Sequence, residues 1–269
     1  MRTSLKLAAF GLAAATALAT PASAHRLWML PSATVLSGGD QWVTVDAAVS
    51  NDLFYFEHQP LRLDGLTVTA PDGSSAKPEN LSTGKYRSTF DLHLTQPGTY
   101  KMAVTNEGVF GSYKLNGEQK RFRAMGGKLP EIPETATEVR LSENQGRLEV
   151  FVTSGKPSDT VLKPTGKGLE LVPETHPNNL AAGEDGKFAL VLDGQPARDV
   201  EVEIVPGGNR YRQKLNDFKA KTDKDGKFTV KWPEAGMYWL SASVQDDKSS
   251  IKNARRRATY TATFEVLPQ

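Results

Sequence analysis

The chain has 269 residues, 24% of them charged and 38% hydrophobic, with no cysteine. Such a composition belongs to an ordinary globular protein with room for two medium domains, and it excludes disulfide staples, thiolate metal sites and cysteine nucleophiles. The formal net charge of +2 is too small to mark a nucleic-acid protein.

In chain order, the first predicted element is an export signal over residues 1–24. Arg2 and Lys6 form a positive start, Leu7 to Leu18 an apolar run, and Ala22-Ser23-Ala24 a small-x-small cleavage site. That run is too short to span about 30 Å of hydrocarbon, and no later window is longer. The mature chain is therefore expected in the periplasm without a transmembrane segment. It is formally neutral, because losing Arg2 and Lys6 leaves 31 basic residues against 31 acidic ones.

Cleavage after Ala24 leaves His25 first, with a free α-amine. The amine has a reference pKa of about 7.7–8.0, so a metal can displace its proton near neutral pH. Amine and imidazole Nδ1 then close a six-membered chelate. Imidazole suits Cu, Ni and Zn, with Cu(II) favoured by intrinsic affinity. Leu27 at mature position three rules out the amino-terminal copper/nickel motif, which needs histidine there. A T-shaped histidine brace needs a distant histidine instead. His58, in Phe56-Glu57-His58-Gln59-Pro60, and His176, in Glu174-Thr175-His176-Pro177, lie in Pro-bearing loop contexts beside a carboxylate and are the candidate partners. The competing reading is an accidental histidine after a tolerant cleavage site and solvated loop histidines. His93, between Leu92 and Leu94, reads with Asp91 as an exposed strand face.

Short alternating runs punctuated by Gly, Pro, Asn and Asp, with no sustained 3.6-residue period, predict an all-β chain. Leu27-Trp28-Met29-Leu30-Pro31 is answered by Leu169-Glu170-Leu171-Val172-Pro173. Ser37-Gly38-Gly39-Asp40 before Trp42 is answered by Ala182-Gly183-Glu184-Asp185 before Phe188, and Leu66-Thr67-Val68 before Pro71-Asp72-Gly73 by Val202-Glu203-Ile204 before Pro206-Gly207-Gly208. Phe90 to Leu94, Gln96-Pro97-Gly98 and Tyr100-Lys101-Met102 return 138 residues later as Phe228 to Trp232, Glu234-Ala235-Gly236 and Tyr238-Trp239-Leu240. Each copy of this last unit reads as a hairpin with a tight glycine turn. Four echoes in one order predict two tandem antiparallel β-sandwiches of about 100 residues, immunoglobulin-like in size.

Between the copies, Pro130, Pro133, Pro157 and Pro164 favour extended or turn backbone. A further hairpin is predicted there, Val139-Arg140-Leu141 and Leu148 to Val152 around Glu143-Asn144-Gln145-Gly146, followed by a linker near Lys163-Pro164-Thr165-Gly166. The chain then divides into the signal 1–24, an N-terminal sandwich 25–165 and a C-terminal sandwich 166–269. Trp28, Trp42, Phe54, Tyr55 and Phe56 read as core, with a carbohydrate or peptide surface as the alternative. Thr222 to Phe228 supplies a hairpin turn that lacks the ligands of an EF-hand. Arg255-Arg256-Arg257 reads as a solvated face beside the last strand, with an anionic partner as the alternative.

No Gly-x-Ser-x-Gly elbow, His-Glu-x-x-His helix or phosphate loop is present, and the Ser-x-x-Lys matches at Ser82 and Ser249 lack companion motifs. The chain is read as a non-enzyme. "AHRLWMLPS", "PDGS", "LTQPGTYKM", "GKGLELVPETHP", "GEDGKFALVLDGQPA" and "TDKDGKFTVKWPEAGMYWL" together resemble the domain-of-unknown-function 4198 family of exported bacterial proteins. That resemblance implies an N-terminal histidine after cleavage, matching His25, and a "VP-x-x-HP" segment, matching Val172 to Pro177. It also implies a periplasmic role, often labelled as nickel or cobalt uptake. The second module further resembles carboxypeptidase-regulatory-like and transthyretin-like modules, which bind or space rather than catalyse. The expectation is a periplasmic metal-binding or metal-uptake accessory protein for Ni, Co or Cu, handing its ion to an envelope transporter or receptor. The alternatives are an envelope binding or structural module without metal and, more remotely, a histidine-brace copper oxidase.

Overall fold

The computed structural model describes residues 25–38, 40–126 and 129–269. The export signal read above lies outside them. The first half runs through β1 (Arg26–Pro31), β2 (Val35–Leu36), β3 (Gln41–Ser50), β4 (Gln59–Pro60), β5 (Leu66–Thr69), β6 (Glu79–Thr83), β7 (Ser88–Leu94), β8 (Gly98–Leu115), β9 (Glu118–Met125) and β10 (Thr137–Ser154). The second half adds β11 (Leu169–Pro173), β12 (Asp185–Leu192), β13 (Gln195–Pro196), β14 (Glu201–Pro206), β15 (Phe218–Lys221), β16 (Lys227–Lys231), β17 (Gly236–Asp246) and β18 (Ala254–Val266). Among the described residues the only helical pieces are 3-10 turns at Thr160–Leu162 and Asn209–Tyr211, and no helix is long and apolar enough to cross a membrane.

The strands form three sheets. The first has the order β1-β3-β7-β6, with β4 on β3; the third has the order β11-β12-β13, with β16 on β12. Between them lies a nine-stranded sheet, β15-β14-β17-β18-β10-β8-β5, with β2 on β10 and β9 on β8. It is continuous because β10 and β18, the last strands of the two repeats, pair in parallel from Leu141–Ala254 to Val150–Thr263.

Side-chain alternation puts the two outer sheets on opposite faces of this shared sheet. Leu148, Val150 and Val152 of β10, with Tyr100 and Met102 of β8, pack against Met29, Val45, Phe90 and Leu92 of the first sheet. Tyr260, Ala262 and Phe264 of β18 point the other way and pack, with Ile204 and Leu240, against Leu171, Phe188, Leu190 and Phe228 of the third. At the seam Tyr260 Oη donates to Glu149 at 2.9 Å, Glu149 pairs with Arg147 at 3.3 Å, and Arg147 reaches Glu170 at 3.6 Å. Lys101 lies 3.9 Å from Glu149 on the other side, so these charges are paired across the seam between the two halves.

The strands that carry the sequence echoes take corresponding places in the sheets, β1, β3 and β7 in the first as β11, β12 and β16 in the third, and β5 and β8 as β14 and β17 in the shared one. The connection itself is not a hairpin. β7 pairs with β3 and β6, and β8 with β10 and β5, so the turn at Gly98 carries the chain from one sheet to the other. The turn at Gly236 does the same between β16 and β17. In each, a tyrosine two residues on reaches back to the turn. Tyr100 Oη accepts the Gln96 N–H at 2.8 Å, and Tyr238 Oη donates to the Glu234 carbonyl at 2.9 Å. Gly98 and Gly236 hold φ of +129° and +144°, values that L side chains rarely adopt. The Thr222 to Phe228 turn likewise joins strands of different sheets, β15 and β16.

The hairpin predicted around Glu143 to Gly146 does not form either. That polar stretch is the middle of the 18-residue β10, because β8 and β18 bond it from both sides and leave no free edge to fold back. The stretch 163–166 follows the 3-10 turn Thr160–Leu162. Its end is held by the Glu170 carboxylate, which accepts the N–H groups of Thr165, Gly166 and Lys167 at 2.8, 2.7 and 3.2 Å.

Candidate metal site and adjoining cleft

β1 is an edge strand buried on both faces, as the complete burial of the adjacent Trp28 and Met29 shows. Met29 faces the first core, while Trp28 joins Ala48, Leu53, Val205 and Trp239 in a third cluster where the shared sheet curls around β1. Trp28 Nε1 donates to Ser50 Oγ at 2.8 Å, and Trp239 Nε1 donates to the Leu27 carbonyl at 2.9 Å. Arg26 pairs with Glu203 at 3.4 Å and lies over the Trp239 ring at 5.4 Å. His25 is thus the last residue before a strand anchored to both halves of the molecule.

The loop carrying His58 is equally fixed. Glu57 folds back and accepts the N–H groups of Asn51 and Asp52 at 2.8 and 2.9 Å. Phe54 and Phe56 pack on Trp28, each with ring centroids 5.5 Å away. From the second half, Asn209 Oδ1 accepts the Leu53 N–H at 2.9 Å and its amide donates to Asp52 at 3.1 Å, while Arg210 lies over Tyr55 at 3.7 Å. The dense aromatic run is therefore chiefly an internal seam. Tyr55 and Trp42 remain partly exposed, at 37% and 47%.

These two anchored segments bring His25 and His58 together. Their rings stack with centroids 3.7 Å apart and planes 9° from parallel, and both residues are exposed. Stacked rings present their in-plane nitrogen lone pairs side by side rather than convergently. An ion held by both, at the roughly 2 Å of a metal–nitrogen bond, would require one ring to turn about its χ angles.

His176 does not join them. Its Nδ1 accepts the Asn178 N–H at 3.1 Å, which leaves the neutral ring's proton on Nε2, against Thr99 Oγ1 at 3.0 Å. Thr99 Oγ1 donates in turn to Thr153 at 2.9 Å, and Thr153 to Asn178 Oδ1 at 2.9 Å. Both ring nitrogens are occupied in a buried network at the Thr153 end of β10, and burial holds the His176 pKa below its ordinary value. Thr153 lies five residues beyond Leu148, the nearest β10 residue of the cleft described next, which corresponds to about 16 Å of strand. His93 stacks on Trp42 at 4.3 Å and contacts Asp40. Among the described residues no group of three or more His, Asp or Glu side chains is arranged to hold an ion.

His25 stands on the rim of a cleft of about 540 Å³, which opens where the first sheet stops covering the shared sheet. Register builds its floor. Asn106, Gly146, Thr259 and Ser243 form one transverse row across four strands, with Asn144 and Arg257 in the next. Small residues give the floor its depth, and a Cβ at Gly146 would come within 2.8 Å of the Asn106 side chain. Of the acidic residues on the wall, Glu203 is paired with Arg26 and Glu201 with Lys219 at 2.7 Å. Arg257 is exposed and makes no ion pair with a described residue. The basic run divides: Arg255 reaches Asp247 at 3.3 Å, whereas Arg256 is only 6% exposed. Arg256 is held by Asp246 at 2.5 Å and Asp193 at 2.8 Å, so the solvated-face reading fails for it.

Sequence reasoning missed Asn209 and the cleft floor. The only signal for the floor was the polar stretch Glu143 to Gly146, and it reads equally well as a turn.

No curated protein matches the chain. Among solved structures it is similar to the D0-D1 domain of Intimin at 12% identity and TM-score 0.22, covering 89% of this chain and 97% of that one. It is similar to the chicken CNTN1 FN1-FN3 domains at 8% identity and TM-score 0.24, with coverage of 89% and 97%. It is also similar to a Salmonella alpha-2-macroglobulin mutant at 15% identity and TM-score 0.20, with coverage of 95% and 16%. At such scores none of these bears on the architecture, which rests on the sheets described above. Residues 22–246 match the family described as Domain of unknown function (DUF4198), and the chain belongs to that family.

Proposed function

We propose that the protein binds a transition metal, Cu, Ni or Co, at its amino terminus and acts as a periplasmic metal-binding or metal-uptake accessory without a catalytic step of its own. The observation that carries this reading is the His25–His58 pair, brought to a 3.7 Å ring separation by two independently anchored segments. The donors are the α-amine exposed by cleavage after Ala24, the His25 imidazole and the His58 imidazole. Three nitrogens leave an open position on a tetragonal Cu(II) or Ni(II) ion, as a carrier that must release its cargo to an envelope transporter requires. His176 is left out of the ligand set because its own hydrogen bonds occupy both nitrogens.

The test is titration of Cu(II) and Ni(II) into the mature protein and into a form extended by one Ala before His25. The reading predicts a tight 1:1 site in the mature form, weakened at least a hundredfold by the extension. Equal, weak binding by both forms would contradict it. The second reading, an envelope binding module without metal, draws on the unpaired Arg257 in the polar cleft and would then account for the site.

A further inference from the structure

The cleft beside His25 has a chemistry that the histidine pair does not use. Its floor row of Gly146, Thr259 and Ser243 is small and polar, and the side-chain amides of Asn106 and Asn144 line it with no hydrogen bond to a described residue. Both acidic wall residues are neutralised by their own cations, so the charge left over is the Arg257 guanidinium. An unpaired guanidinium above a polar floor suits a carboxylate, which it can bind through two parallel N–H···O bonds. The volume of about 540 Å³ is in the range of small-molecule sites. The rim of the same cleft carries His25, the residue to which the proposed function assigns the ion.

We infer that the cleft seats a small hydroxy- or amino-carboxylate that completes the coordination of the ion at His25 and His58 and meets Arg257 with a carboxylate. This rests on the metal reading above, and it adds that the ion is held as a ternary complex with an organic acid. Two ends recognised at once also select for molecules short enough to lie within the cleft, so a free metal ion or a simple acid alone binds less tightly than the pair.

The experiment is equilibrium dialysis of labelled malate against the mature protein, with and without one equivalent of Cu(II). The visible copper band is followed to show that the metal stays on the protein. Retention of about one malate per copper-loaded chain is expected, falling at least tenfold without copper. The same drop is expected in Arg257→Gln, with copper affinity unchanged. Ser243→Trp, at an exposed floor position, should exclude malate and retain copper; both variants are checked for native circular dichroism. Copper binding with no retained malate, or malate retention indifferent to copper or to Arg257→Gln, overturns the co-ligand and leaves the metal reading standing. Failure of every form to bind copper removes both.

Discussion

Asn209→Ala separates the placement of His58 from its chemistry. Asn209 sits in the second half of the chain, accepts the Leu53 N–H at 2.9 Å and donates to Asp52 at 3.1 Å. Truncation removes one neutral and one charge-assisted hydrogen bond at a half-buried position, together about 2 kcal/mol. Leu53, Phe54 and Phe56 still pack around Trp28, and Glu57 still closes the loop from inside, so the docked loop survives in about a tenth to a third of the molecules. Copper affinity should therefore fall about three- to tenfold, the share of the 2 kcal/mol expressed as loss of the binding-competent loop. Urea denaturation followed by tryptophan fluorescence reads the stability, because Trp28 and Trp239 lie in the affected cluster. Copper titration of the same variant reads the affinity. A variant about 2 kcal/mol less stable with wild-type copper affinity would refute the claim that the second half positions His58.

Three further outcomes test the fold. His176 is half-buried, and desolvation holds its pKa below the ordinary value of 6.5, so it is neutral at pH 7. The unfolded chain takes up a proton near pH 6.5 that the folded chain refuses, so this contribution is complete above that pH and declines as pH falls below it. The urea midpoint should drop between pH 7 and pH 5 by more in the wild type than in His176→Gln, and copper affinity at pH 7 should be the same in both. Tyr100→Phe and Tyr238→Phe should each cost about 1 kcal/mol by urea denaturation, equally in the two halves, if the corners are equivalent. Gly98→Ala sets a Cβ 2.6 Å from Pro71 at φ +129°, whereas Gly117→Ala, at φ +83°, meets nothing within 4 Å. The first should cost more than about 3 kcal/mol and the second about 1 kcal/mol, measured by thermal unfolding.

The all-β class was legible before any strand was located, because alternation marks the strands and the Gly and Tyr of each corner punctuate them at fixed spacing. The sheet exchange at those corners was not legible, since a tight glycine turn has the same local signature whether its strands pair or cross to opposite sheets. The continuity of β10 was hidden for a related reason. Glu143 to Gly146 are polar because they face the cleft and a serine turn, where Glu143 accepts bonds from Ser249 and Ser250 at 2.7 and 2.8 Å, not because the chain reverses there. Of the candidate site, His25 and His58 could be named from their contexts. His176 carried the same Pro-and-carboxylate context, but hydrogen bonds to Thr99 and Asn178 claim its nitrogens, and only the folded register brings those residues near. Arg257 looked like its two neighbours until strand pairing turned Arg256 inward and left Arg257 over the cleft.

The most direct test of the central claim is pulsed electron paramagnetic resonance of the mature protein loaded with one equivalent of Cu(II), which counts the imidazoles bound to the ion. Two imidazole couplings are predicted, falling to one in His58→Ala and staying at two in His176→Ala. A single imidazole in the wild type, or a count unchanged by His58→Ala, would contradict the account.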